Sequence, residues 1–117
     1  MAIEHVLAVV PVTDIDAAET WYSSFFGAPA TNNPMPTLVE WRVTDVGWVQ
    51  VTVDDVRAGT GLLNFGIDDL GAHRAELASR GVDAGDVVDA NKGVRLSTVL
   101  DPDGNTITLI GGFRVDY

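Results

Sequence analysis

The amino-acid sequence predicts an α+β fold of two tandem βαβββ modules, module one over residues 4–56 and module two over 62–111, in a single domain spanning 1–117. Three observations predict it. The stretches VTDIDAAETWYSSFFG (12–27) and IDDLGAHRAELASRG (67–81) share one punctuation: a β-branched apolar residue, Asp, a second aliphatic, then a helix-length segment running into glycine. Each follows an aliphatic run and precedes two strand-like runs around a turn, so the order of elements repeats. With 117 residues, 46% of them hydrophobic, the chain can bury one shared core, whereas a single module could not cover its own sheet.

Element by element, residues 4–10 read as a strand, rich in β-branched and aliphatic side chains that suit a pleated surface. A helix follows. Asp14 or Asp16 can cap its first turn, with Glu19 three residues after Asp16 in a capping-box-like spacing. Ala18, Trp21, Tyr22, Phe25 and Phe26 form an apolar stripe at helical spacing, and Gly27 supplies a left-handed stop. After the Pro-rich APATNNPMP (28–36), which has room for a short strand, two strands are expected at 37–43 and 48–53 around Thr44-Asp45-Val46-Gly47. RAGTG (57–61) joins the halves. The second half gives a strand at 62–67, a helix from about Asp69 to Arg80, Gly81 as its stop, room for a short strand within 82–88, and strands at 95–100 and 105–110. Asp101-Pro102-Asp103-Gly104 between the last two is turn chemistry, with Pro presetting φ and Gly tolerating a left-handed position.

Composition narrows the function classes. Seventeen acidic residues against seven basic give a net charge of −10, and Lys92 is the only lysine, so a phosphate backbone would be repelled; nucleic acid is excluded as a partner on this reading. The absence of cysteine removes disulfides, thiolate metal sites and cysteine nucleophiles. The longest apolar run, residues 6–12, is too short to span a bilayer and contains Pro11, and no basic leader with a cleavage pattern is visible; the expectation is a cytoplasmic protein without membrane contact.

HVLAVVPVTDID before a helix that ends in glycine, LLNFGIDDL opening the second half, and the closing DPDGNTITLI together resemble the vicinal oxygen chelate superfamily of glyoxalases, bleomycin resistance proteins and extradiol dioxygenases, from about residue 4 to 111. The resemblance implies that the modules wrap into an open, cleft-forming barrel and that the protein is a homodimer. Many enzymes of that superfamily hold a divalent metal in the cleft with His and Glu from the first and last strands of each module. It places those positions at Leu7 and Leu62, counting back from the helix-opening aspartates, and at Gln50 and Thr108, counting forward through the hairpins. Two leucines, an amide and a hydroxyl cannot offset the dehydration of such an ion, so no metal and no cofactor are expected. His5 shares the face of Leu7, but His73, the other histidine, stands among charged neighbours on a helix.

Symmetric pairing about Thr44–Gly47 would set Trp41 opposite Gln50 and Val43 opposite Trp48, bringing both tryptophans to the face of the cleft and turning Glu40 and Arg42 away. The expected ligand-binding residues are therefore Leu7, Trp41, Trp48, Gln50, Leu62, Asn64 and Thr108, an apolar, aromatic site with neutral hydrogen-bonding groups. No catalytic residue is assigned: Asp54-Asp55 and Asp68-Asp69 flank strand ends where capping aspartates are common, and Ser23-Ser24 lack a nucleophile-elbow context. The leading reading is metal-free binding that sequesters an aromatic or amphipathic small molecule. The alternative is a metal-independent isomerase, lyase or cyclase using His5 or an aspartate, and behind it a metal-dependent glyoxalase or dioxygenase.

Overall fold

The computed structural model describes residues 1–116. Module one runs β1 (Val6–Val12), α1 (Ile15–Phe26), β2 (Asn32–Met35), β3 (Leu38–Arg42) and β4 (Gly47–Val53); module two runs β5 (Leu62–Ile67), α2 (Leu70–Ser79), β6 (Val88–Asp89), β7 (Arg95–Leu100) and β8 (Thr106–Gly111). Each module forms a four-stranded mixed sheet, in the orders β1-β4-β3-β2 and β5-β8-β7-β6. In both sheets the first strand lies parallel to the last, and the remaining pairs are antiparallel. The sheets do not close into a full barrel.

Local chemistry accounts for these boundaries. Asp14, in extended backbone, caps α1 by accepting from the Ala17 N–H at 3.1 Å, so Asp16 falls inside the first turn and the Asp16/Glu19 capping-box spacing is not used. Gly27 ends the helix at φ 72°, its N–H donating to Ser23 O at 2.9 Å. Arg80 from module two closes the same end, donating to Ser24 O (2.6 Å) and Phe25 O (3.1 Å), where helix carbonyls lack partners. A Cβ on Gly27 would stand 3.0 Å from the Arg80 Cζ, so the glycine is required by its backbone angle and by its neighbour. Strand β1 begins and ends two residues later than the aliphatic run suggests and passes through Pro11. The proline is tolerated because β1 is an edge strand, paired only with β4.

One apolar core unites the modules. Val10, Val12, Val39, Trp41, Val49 and Val51 from the first sheet and Leu63, Val99, Ile107 and Leu109 from the second pack with the buried faces of α1 and α2. Tyr22, Phe25, Phe26 and Phe65 link the halves, with Phe65 6.1 Å from both Phe25 and Phe26. Trp21 stacks on Phe25 at 5.4 Å from the half-buried rim of the stripe.

DPDGN does more than turn the chain. The Gly104 N–H donates to Asp101 O, closing the predicted turn, and Gly104 takes φ 90°. The buried Asp101 carboxylate also accepts from the Tyr22 hydroxyl (2.7 Å), the Asp103 and Asn105 N–H groups (3.0 and 2.8 Å) and the Asn105 side-chain amide (2.7 Å). Asn105, fully buried, donates to Pro11 O at 2.7 Å and accepts from the Gly61 N–H at 2.8 Å. Asp103 accepts from the Thr13 N–H and hydroxyl at 3.2 and 2.7 Å. These bonds pin module two to β1, to the β1–α1 junction and to α1, each buried polar group being satisfied, which is the condition under which such a network rigidifies a core.

Candidate functional site

The β3–β4 turn sets which side chains can form a site. Symmetric pairing about Thr44–Gly47 is not what occurs. The Gly47 carbonyl accepts from both the Val43 and Thr44 N–H groups, at 2.9 and 3.2 Å, while the Gly47 N–H donates to the Thr44 hydroxyl at 2.9 Å. Two residues therefore oppose one, as in a bulge, and the ladder shifts by one: Glu40 faces Gln50, Trp41 faces Val49, and Arg42 faces Trp48. With a side-chain period of two, that slip exchanges the faces of β3. Trp41 is a core residue, 2% exposed, with its indole N–H donated to Ala28 O at 3.0 Å, and it leaves the expected ligand set. Glu40 and Arg42, expected to point away, stand on the open face with Trp48 and Gln50.

On the open face of the first sheet, cross-strand register gives two rows that matter: Leu7–Trp48–Arg42 and Val9–Gln50–Glu40–Asn32. Gln50 donates to one Glu40 oxygen at 2.8 Å and Asn32 to the other at 3.2 Å. The Trp48 indole N–H donates to His5 Nδ1 at 3.1 Å, and the Arg42 guanidinium lies 5.9 Å from the Trp48 ring, held by Asp45 O at 3.1 and 2.6 Å. The second sheet repeats the geometry with other chemistry, in rows Leu62–Thr106–Leu100 and Asn64–Thr108–Thr98. Asn64 is exposed there. Both faces leave large apolar groups in solvent: Leu7 is 47% and Leu62 82% exposed, with Val9 and Leu100 also open.

The structure therefore gathers Leu7, Trp48 and Gln50 on one sheet and Leu62, Asn64 and Thr108 on the other. Among the described residues the hydrogen bonds and ring contacts between modules come from the helix side and the strand ends, and none joins the two open faces.

Leu7, Gln50, Leu62 and Thr108 do not make a donor set for a divalent ion, and among the described residues no three His, Asp or Glu side chains group to hold one. His5 engages Nδ1 with Trp48, and no second imidazole stands near it among its contacts. Three of the four paired aspartates have structural work. Asp54 accepts from the Arg57 N–H and side chain, Asp68 from the Asp69 N–H, and Asp69 caps α2 through Ala72 at 3.0 Å. A shallow groove of about 550 Å³ lies beside Trp21, Arg80 and Pro102. An aromatic cavity of about 210 Å³ lies between Phe25, Phe26, Phe65 and His73, below the usual size for a drug-like ligand. Neither includes a residue of the expected site. Among the described residues no helix is long and apolar enough to cross a membrane.

Comparison with known proteins finds close likeness in structure. The chain is similar to a glyoxalase/bleomycin resistance protein from Catenulispora acidiphila DSM 44928, with 32% identity over 92% of this chain and 96% of that one and a TM-score of 0.85. It is similar to TnmS3, an antibiotic binding protein from Streptomyces sp. CB03234, with 26% identity over 95% and 98% of the two chains and a TM-score of 0.75. A bleomycin resistance determinant encoded on the transposon Tn5 shares the fold at 17% identity, over 92% and 96% of the chains, with a TM-score of 0.76. No protein-family model and no curated protein matches the sequence.

Proposed function

Since the chain belongs to the glyoxalase/bleomycin resistance group of the vicinal oxygen chelate superfamily, we propose that it is a metal-free binding protein that sequesters an aromatic or amphipathic small molecule on its open sheet faces. One observation carries this reading: Leu7, Trp48 and Gln50 form a partly exposed apolar and aromatic platform with a hydrogen-bonding centre, on strands whose other face sends Val10, Val12, Val49 and Val51 into the core. The similarity to an antibiotic binding protein and a bleomycin resistance determinant supports it. Capture would be stoichiometric, with the Trp48 ring stacking on the ligand and polar groups orienting it.

A flat open sheet does not enclose a ligand. Exposed apolar patches of this kind mark association surfaces, so a second copy covers them: the module-one face of one chain meets the module-two face of another, and the cleft forms between them in a homodimer. Leu7, Gln50, Leu62 and Thr108 offer that cleft no donor set for a divalent metal, so capture there is metal-free.

The test is a fluorescence titration with planar naphthalene and acridine compounds. Saturable quenching of tryptophan emission, unaffected by a chelator and reduced in Trp48→Phe, is expected. A wild-type protein whose emission responds to none of these compounds, or only after a transition metal is added, would overturn the reading.

A further inference from the structure

Glu40 is the one carboxylate in these four rows of the open faces, and its surroundings define what it can meet. It is half-buried in the middle of β3, with β4 on one side and β2 on the other. Gln50 and Asn32 hold it from those two strands, each donating an N–H to a different carboxylate oxygen. Both amide NH2 groups turn toward Glu40, and among the described residues no donor reaches their carbonyl oxygens, so the row presents carboxylate and carbonyl acceptors together.

No cation neutralises it. Among the described residues the ion pairs are Arg57–Asp54 and Arg95–Asp89, and Arg42, two residues along the same face, directs its guanidinium to Asp45 O and the Trp48 ring. A second copy cannot supply the charge from the opposing rows, because Leu62, Asn64, Thr98, Thr106 and Thr108 are all neutral. Covering an ionised carboxylate without a counter-charge is costly, and a hydrogen-bonded cation removes that cost.

We infer that Glu40, held by Gln50 and Asn32, is the recognition group for a cationic nitrogen, so that the ligand class is an aromatic molecule bearing a protonated amine, amidine or guanidine. This rests on the binding reading above and deepens it. The aromatic part lies against Trp48 in the neighbouring row, and the N–H groups of the cation donate to Glu40 and to the free carbonyl oxygens of Gln50 and Asn32. The net charge of −10 draws such a ligand toward the protein but does not select where it docks; Glu40 does.

The experiment uses naphthylmethylammonium and its neutral isostere naphthylmethanol in amide chemical-shift titrations, which report affinity, position and foldedness in one spectrum. Wild type should bind the ammonium compound about tenfold more tightly, the value of a hydrogen bond to a charged group, with shifts centred on β3 and β4. Glu40→Gln should reduce that preference to within about twofold, and Glu40→Lys should shift it to naphthylacetate. Equal binding of the two compounds by wild type, or a preference that survives in Glu40→Gln, overturns this inference and leaves the binding reading standing. Absence of binding by either compound and by naphthylacetate overturns both.

Discussion

Replacing Tyr22 by Phe removes one hydroxyl from the buried network that joins the modules, and the geometry of that network sets the size of the loss. Tyr22 is fully buried and its hydroxyl donates to Asp101 at 2.7 Å. The carboxylate keeps three other donors in the variant, from Asp103 N–H, Asn105 N–H and the Asn105 amide, so no orphaned charge is created. The loss is then that of a hydrogen bond to a charged acceptor, about 1.5 to 3 kcal/mol at neutral pH. Burial first, then the Asp101 hydrogen bond and the charges of Asp101 and Asp103, push the Tyr22 phenol far above its ordinary range. The unfolded chain releases that proton at about pH 10 while the folded chain keeps it, so the folded state binds more protons above this point and stability falls as pH rises. At pH 11 this lowers wild-type stability by about 1.4 kcal/mol, and the Tyr22→Phe variant, with no titrating group at that position, escapes the loss. Urea melts of both proteins at pH 7 and pH 11 should show a gap of about 2 kcal/mol that shrinks by more than half. A gap that is absent at pH 7, or unchanged at pH 11, would refute the network as drawn.

Two further outcomes separate the faces of the strands. Trp41→Ala should cost about 3 to 5 kcal/mol in a urea melt through the cavity it leaves, whereas Trp48→Ala should cost about 1 kcal/mol or less and instead weaken aromatic ligands by about 0.5 to 1.5 kcal/mol; equal stability losses would contradict the assigned register. Leu62→Glu, at a site 82% exposed in the chain, should leave the single-chain fold intact and convert a dimer to monomer in sedimentation, by setting a charge without a partner into the covered cleft; a wild type that is itself monomeric at micromolar concentration would remove the dimer.

The βαβββ repeat was legible because its signals are local. Asp14, Gly27 and Gly81 act within a few residues of themselves, and an aliphatic run followed by a capped helix admits few readings. Leu7, Gln50, Leu62 and Thr108 follow from the family resemblance, counted from the helix-opening aspartates and through the hairpins, and the register sets them on the open faces of their sheets. Trp41 lies on the core face for a physical reason: one additional residue at Val43–Thr44, accommodated by a shared Gly47 carbonyl, inverts the parity of β3, and nothing in Thr44-Asp45-Val46-Gly47 distinguishes a four-residue from a five-residue connection. DPDGN reads as a turn because that role is local, while its bonds to Pro11, Thr13 and Tyr22 reach about 80 to 95 residues away. Its surplus of polar groups was the available signal, since a turn needs neither Asp101 nor Asn105 to be buried.

Alternation along LVEWR, the sequence of β3, writes two messages in one strand. Val39 and Trp41 keep the protein folded, while Leu38, Glu40 and Arg42 meet whatever lies beyond the sheet. Substitution at one set leaves the other unread, because adjacent side chains point to opposite sides. Strand β4 is interleaved in the same way, with Val49 and Val51 against Trp48 and Gln50. Such a scaffold can be recoded for a new ligand by changing every second residue of two neighbouring strands, and a library confined to those positions samples recognition while the melting behaviour of its members stays close to that of the parent.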